Sequence, residues 1–175
     1  MTARADELHD AFDRGFADPP PPPEPAHSDF LCIEIAGEPS AIRLADIVSL
    51  HADLRIVALP TRAPELLGVA AIRAAIVPIY DLGIALGAAG KAAARWTVLL
   101  RGGAVGFAFA GYDGHARIAD RAVAGPAGGA AAGVPRGYVR GQFNLDGQPR
   151  SVIDLTAVRM AIELRWHPRS AAKDH

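Results

Sequence analysis

From Phe30 to Ile153 the chain is a succession of short apolar runs, and glycine, proline or small polar residues close nearly every run within four to eight residues. This spacing is typical of β-strands in small barrels or sandwiches, because helices need longer segments with a period of 3.6 residues. Nine or ten such strands are too many for one small barrel. The pattern therefore predicts a mainly β protein built from two barrels of about five strands each.

The expected strands and helices follow from this reading. A short helix is expected in the segment 45–52, and a C-terminal helix around Leu155–Arg165. The expected strands are "FLCIEIAG", "SAIRL", Leu67–Arg73, Ile76–Tyr80, "RWTVLLRG", "AVGFAFAG", a weak strand at Gly114–Ile118, Tyr138–Leu145 and Arg150–Ile153, and "RIVALP" is expected to be an extended segment closed by Pro60.

The first 29 residues form a separate unit in this reading. Leu8, Phe12 and Phe16 recur every four residues, which predicts one apolar stripe on a short amphipathic helix. The run Pro19–Pro23 and Pro25 would end that helix and form a stiff tether. We expect an N-terminal extension in residues 1–29 that is either a frayed tail or a docking helix on a tether, a double barrel in 30–168, and a polar tail in 169–175.

Composition excludes several classes of function. The 175 residues carry a net charge of −1, and aromatic residues make up 6%, so the chain lacks the basic or base-stacking surface of a nucleic-acid-binding protein. No apolar run is long enough to cross a membrane, and no basic and apolar leader opens the chain, so we expect a cytoplasmic protein without membrane insertion. Small barrels can bind oligonucleotides or small ligands, and both alternatives stay open at this point.

Enzyme chemistry has no support in the residue pattern. The six histidines are scattered without metal-ligand spacing, and Cys32, the only cysteine, lies in an apolar run with no histidine within four residues. The glycines of "RGGAVG" follow a strand without opening a helix, so they do not make a phosphate-binding loop. We therefore expect no catalytic residues, no metal and no cofactor.

The stretch "GVAAIRAAIVPIYDL" (68–82) places one arginine in the middle of an apolar hairpin. Strand alternation puts Val69, Ala71 and Arg73 on one face, where a guanidinium beside apolar side chains suits a protein interface. The alternative is that Arg73 pairs with Asp81 on the surface. Pro78 lacks a backbone donor, so we expect it on an edge strand or at a bulge.

A second stretch, "GQFNLDGQPRSVIDL" (141–155), echoes the first at an offset of 73 residues. Gly68 and Gly141 open the two stretches, and we expect bulges or close backbone approaches there. Asp81 and Asp154 precede the final leucine of each, where a carboxylate caps the next helical turn. Two similar hairpins would suit two related barrels.

The first stretch resembles the hallmark of the chemotaxis coupling-protein (CheW) family, Pro…Gly-Val-x-x-Leu-Arg-Gly-x-Ile-Val-Pro-Ile-x-Asp-Leu, and the similarity extends from Phe30 through the final helix. The matching positions are Pro64, Gly68, Val69, Ile72, Arg73, Ile76, Val77, Pro78, Ile79, Asp81 and Leu82.

The resemblance implies two intertwined five-stranded barrels of the SH3-like or OB-like kind. It also implies a non-enzymatic adaptor that joins chemoreceptors to the histidine kinase CheA, with Arg73 near the receptor-binding groove and Val69 and Ala71 beside it. A divergent adaptor for a different receptor or two-component pathway is the alternative.

The sequence departs from the family pattern at four places. Ala74 replaces the glycine after the motif arginine, so a positive φ is not easily adopted there. Ser49 replaces a common glutamate, Ala110 a usual aspartate, and Ser40-Ala41 an aromatic residue followed by glycine or alanine. These departures concern the partner contacts more than the fold.

Overall fold

The computed structural model describes residues 25–89, 93–126 and 134–166, which form ten strands and two helices. The predicted N-terminal stripe (Leu8, Phe12, Phe16) and the polar tail lie outside the described residues. The elements are β1 (His27–Ile35), β2 (Glu38–Arg43), β3 (Ile47–Ala52), β4 (Leu66–Ile72), β5 (Ala75–Asp81), α1 (Leu82–Ala85), β6 (Trp96–Leu100), β7 (Gly106–Phe109), β8 (Gly111–Ala119), β9 (Val139–Leu145), β10 (Gln148–Ile153) and α2 (Leu155–Trp166).

The strands form two five-stranded sheets with the same internal arrangement. One sheet has the order β8-β1-β2-β10-β9, and the other has the order β3-β6-β7-β5-β4. In each sheet the third and fourth strands pair in parallel and the other pairs are antiparallel. The chain enters the first sheet, builds the whole second sheet, and then returns to complete the first. The predicted mainly β fold with two intertwined five-stranded units is confirmed.

Strands at the junction of the two sheets are buried on both faces, which explains their continuous apolar runs. In β1, Phe30 packs with Phe143 inside the first sheet, whereas Leu31 and Ile33 face a larger core shared by both sheets. In β7, Ala108 points into the second sheet and Phe107 into the shared core. The shared core holds the two sheets together because it removes large side chains of both from water.

One expectation about local structure was wrong, and one expected strand is longer than predicted. The segment 45–52 is not a helix: a short 3-10 turn covers Leu44–Asp46, and β3 follows and pairs with β6. Pairing with a neighbouring strand outweighs the helical spacing of its apolar residues, and the short helix of the fold is α1 instead. The weak strand expected at Gly114–Ile118 is the nine-residue β8.

The two echoed stretches occupy equivalent places in the two sheets. Gly68 lies in β4 and Gly141 in β9, which are the outermost strands beside β5 and β10. Asp81 ends β5 before α1, and Asp154 follows β10 before α2. The offset of 73 residues in the sequence therefore corresponds to a repeated strand–strand–helix unit.

Candidate partner-binding surface

The hairpin formed by β4 and β5 projects beyond the sheet that carries it. Only Ile79–Asp81 of β5 pair with β7, so the first half of the strand has β4 as its sole sheet neighbour. On the other side of β4, Val57 and Val69 exchange two backbone hydrogen bonds of 2.8 and 2.9 Å. The projecting unit is thus a narrow ribbon of three extended segments.

Pro78 corrects one expectation, because β5 is not an edge strand in the sheet order. Pro78 lies opposite Val69 in the β4–β5 pairing. The N–H and C=O of Val69 are both hydrogen-bonded to Val57, so Val69 and Pro78 form no backbone hydrogen bond with each other. The side of β5 away from β4 has no strand partner until Ile79. A missing N–H is tolerated there for the same reason that proline is tolerated on an edge.

One face of the ribbon packs on the barrel interior and the other is open. Ala70, Ile72, Val77 and Ile79 are buried together inside the second sheet. The open side, which we call the hairpin face, consists of apolar residues; Ile76 is 76% exposed and Val57 is 56% exposed. The members of the hairpin face are Val57, Leu59, Val69, Ala71, Ile76 and Pro78.

Arg73 lies in the two-residue turn at the tip of the hairpin rather than in β4. Arg73 and Ala74 have φ values of 47° and 63°, as a type I′ turn requires. Ala74 therefore does adopt the positive φ that its side chain disfavours, because the Ile72–Ala75 pairing leaves only two residues for the turn. The strands on either side thus impose the strained conformation.

The guanidinium of Arg73 is free to meet a partner. Arg73 is exposed and has no hydrogen bond or ion pair within the described part of the chain. The alternative pairing with Asp81 is not formed, since Asp81 is buried and accepts a 3.0 Å hydrogen bond from the Ile84 N–H at the start of α1. Arg73 therefore places a positive charge at the end of an apolar face.

Two more arginines add positive charge beside the hairpin. Arg55 and Arg62 lie in the connection that leads into β4, and both are exposed and unpaired among the described residues. The acidic residues of that connection are already engaged: Asp53 lies 3.6 Å from Arg95, and Glu65 is buried. The charge that remains around the hairpin face is positive.

Glu65 fastens the end of α2 to the base of the hairpin. Its Oε1 accepts hydrogen bonds from Arg165 Nη1 at 3.0 Å and from Trp166 Nε1 at 2.9 Å, and its side chain is fully buried. Its backbone oxygen accepts a 2.7 Å bond from the Asp81 N–H. Sequence reasoning did not find this contact, because a hundred residues separate the partners.

Gly68 and Gly141 are places where another backbone comes very close. A Cβ on Gly68 would lie 2.1 Å from the Val57 oxygen, and one on Gly141 would lie 2.6 Å from the Ala124 oxygen. Val57 pairs with Val69, and Ala124 pairs with Gln142, directly after each glycine. Both glycines thus let an extra extended segment join the outer strand of their sheet.

Asp154 caps α2 as Asp81 caps α1, and it also holds an arginine. Its Oδ1 accepts from the Ala157 N–H at 2.9 Å, while Arg140 contacts both carboxylate oxygens. Burial alone would raise the pKa of Asp154, but the hydrogen bonds from Arg140 and Ala157 outweigh it and leave the pKa lowered. Arg140 also reaches Asp46, at 3.0 Å.

A groove between the two sheets was missed by sequence reasoning. It has a volume of about 450 Å³ and runs between β3 and β8, with Val48 48% exposed at its rim. Ser49 lies in this groove and its Oγ is 2.9 Å from His51 Nε2. The groove was not predicted because the segment that forms β3 was expected to be a helix, and because β8 comes from a distant part of the sequence.

The described residues offer little reactive chemistry. No group of three or more histidine, cysteine, aspartate or glutamate side chains that could hold a metal comes together in the ranges the structure covers. Cys32 is buried, and burial raises the pKa of its thiol, so the thiolate is disfavoured. Within the same ranges no helix has the length and apolarity to span a bilayer.

Comparison with known proteins agrees with the fold described above. The crystal structure of the scaffolding protein TtCheW from Thermoanaerobacter tengcongensis matches with a TM-score of 0.65 and 17% sequence identity, over 73% of this chain and 89% of that chain. No curated protein matches. A family model described as "CheW-like domain" matches residues 29–161. The chain therefore belongs to the CheW-like domain family.

Proposed function

We propose that this chain is a non-enzymatic adaptor that couples the cytoplasmic domain of a chemoreceptor to a CheA-type histidine kinase. Membership of the CheW-like family supports the role of a chemotaxis coupling adaptor in general. The observation that carries the specific proposal is the hairpin face with the unpaired guanidinium of Arg73 at its tip. An apolar surface of this kind, rimmed by charge, is what a protein partner buries.

The receptor contact is assigned to Arg73 together with Val69 and Ala71. Val69 and Ala71 point outward from β4, and Arg73 follows them at the turn. The planar guanidinium can donate to a carboxylate or to the free carbonyls of a helix end, while the two aliphatic side chains pack on an apolar helix face. A receptor helical hairpin presents both kinds of group.

The kinase contact is assigned to packing between barrels. A kinase domain of related fold would bury exposed apolar edges of this chain against its own, which requires no chemistry from either. Binding that favours one conformation of the kinase would then transmit the state of the receptor. This role would place the chain in the cytoplasm, recruited to membrane-bound receptor arrays, without nucleic acid, membrane insertion or cofactor.

The proposal is tested by asking whether the chain bridges its two partners. A receptor cytoplasmic fragment is immobilised and incubated with a CheA regulatory domain, with and without the full-length chain. We expect kinase capture to rise with added chain to saturation. Capture of either partner alone, without the ternary complex, would contradict the coupling role. A gel shift with single-stranded oligonucleotides tests the nucleic-acid alternative, and no shift is expected.

A further inference from the structure

The hairpin face has no occupant within the described part of the chain, although it combines apolar area with unbalanced charge. Val57, Leu59 and Ile76 are 56%, 44% and 76% exposed. Arg55 alternates onto the same side of its segment as Val57, because Leu54 and Ile56 pack on the barrel interior. An occupant of this surface should therefore be apolar along one stripe and acidic around it.

The N-terminal segment of the same chain has this composition. Leu8, Phe12 and Phe16 form the stripe that the sequence predicts for a short helix. Residues 1–18 contain five acidic side chains and two arginines, so the segment carries net negative charge. A helix this short is marginal in water by itself, and burial of its stripe against a surface would stabilise it.

The tether joins the first sheet at the end of the molecule from which the hairpin tip projects. β1 begins at His27, beyond the Phe30–Arg43 pair and next to the turn Leu44–Asp46. Arg101, in the β6–β7 connection, donates from its N–H to the Asp46 oxygen at 2.8 Å. The hairpin tip lies at the end of the second sheet where that connection lies. β5 runs parallel to β7 and pairs with it only from Ile79, opposite Gly106, so the earlier part of β5 extends past the start of β7.

The tether gives the N-terminal segment a long reach from the start of β1. Residues 19–26 contain six prolines, and a polyproline II segment of that length spans about 25 Å at 3.1 Å per residue. A stiff spacer raises the effective concentration of a tethered segment at a site within its reach.

Two other exposed apolar areas fit this segment less well. On α2, Met160 and Leu164 are exposed, but Arg159 pairs with Glu163 and Arg165 with Glu65. In the groove between the sheets, Arg101 donates to backbone oxygens. The groove has one exposed, unpaired arginine beside it among the described residues, Arg117 on β8, whereas Arg55, Arg62 and Arg73 surround the hairpin face.

We propose that residues 1–18 dock in cis on the hairpin face and so act as a built-in competitor for the partner that this face binds. The docking itself depends only on the chain, whereas the competition rests on the proposed receptor site. With an intramolecular competitor, the apparent affinity for the partner equals the intrinsic affinity multiplied by the fraction of time that the face is open.

Nuclear magnetic resonance of the full chain tests the docking directly. We expect cross-peaks between the rings of Phe12 or Phe16 and the methyl groups of Val69 or Ile76. Phe12→Asp should abolish them, whereas Ala17→Asp, which adds the same charge off the stripe, should leave them. The cross-peaks should persist unchanged on tenfold dilution. Cross-peaks to Met160 or Leu164, none at all, or loss on dilution would overturn docking in cis on this face.

Receptor titration separates this inference from the proposed function. If the segment occupies the face nine-tenths of the time, Phe12→Asp should tighten binding of a receptor fragment about tenfold. Ala17→Asp should bind as the unaltered chain does. Cross-peaks present together with unchanged receptor affinity would uphold the docking and contradict the placement of the receptor site. Cross-peaks absent together with receptor binding at Arg73 would overturn the docking alone.

Discussion

Arg140 Nε lies 2.6 Å from Asp154 Oδ2, and Arg140 Nη1 lies 3.0 Å from Asp46 Oδ2, so one guanidinium joins the start of α2 to the turn between the two sheets. Asp154 belongs to the first sheet's strand–strand–helix unit, and Asp46 leads directly into β3 of the second. The two halves of the molecule are therefore linked by charge at this point as well as by the shared apolar core.

This link predicts a pH-dependent loss of stability in Arg140→Met. The pKa of Asp154 is lowered in the folded chain, so its contribution is present above its ordinary pKa of about 3.9 and is lost as pH falls below that value. We expect a cost of about 1–2 kcal/mol near pH 7, because the pair is only partly buried. The difference from the unaltered chain should shrink below about pH 4.

Urea unfolding at a series of pH values measures this effect. Arg117→Met is the matched control, since Arg117 is exposed and unpaired among the described residues, and its unfolding free energy should change little. A cost for Arg140→Met that stays constant down to pH 3 would show that the arginine stabilises the fold by packing alone.

The turn at the hairpin tip predicts that Ala74→Gly stabilises the fold. Ala74 has a φ of 63°, which costs an alanine about 1 kcal/mol relative to glycine. Thermal unfolding should therefore show a midpoint higher by a few degrees. An unchanged or lower midpoint would mean that the turn relaxes away from positive φ in solution.

The turn between β9 and β10 supplies the reciprocal control. Gly147 has a φ of 80° and a Cβ there would meet no atom within 4 Å, so Gly147→Ala isolates the backbone effect. We expect it to destabilise the chain by about 1 kcal/mol.

Close backbone approach at the two echoed glycines predicts a larger loss. Gly68→Ala and Gly141→Ala would force the outer strand away from its extra segment, and we expect each to cost about 3 kcal/mol or more. Gly137→Ala is the control, because no atom lies within 4 Å of its Cβ position and its φ is not positive. Unfolding free energies within 1 kcal/mol of the control would contradict the tight approach.

Much of the fold could be predicted from local pattern. The alternation of Val69 and Ala71 predicted an outward face for the hairpin, and the capping roles of Asp81 and Asp154 followed from their place between strand and helix. These features depend on neighbours in the sequence. Strand alternation, with its period of two residues, can therefore be recognised from the local sequence alone.

Features that depend on distant segments could not be predicted. β3 was misread because its strand character comes from pairing with β6, some fifty residues later. The hydrogen bonds from Arg165 and Trp166 to Glu65 join residues about a hundred positions apart in the sequence. The hairpin face itself required the structure, because only the fold shows that Val57 extends the face of β4.

The most direct test of the proposed adaptor is the dissociation constant of a receptor cytoplasmic fragment for full-length Arg73→Glu, measured by calorimetry beside Arg117→Glu. Both variants reverse the charge at one exposed arginine, but only Arg73 lies at the hairpin tip. We predict that Arg73→Glu weakens binding about tenfold or more, with the fold unchanged by circular dichroism, and that Arg117→Glu binds as the unaltered chain does. Equal affinities for the two variants would contradict the account.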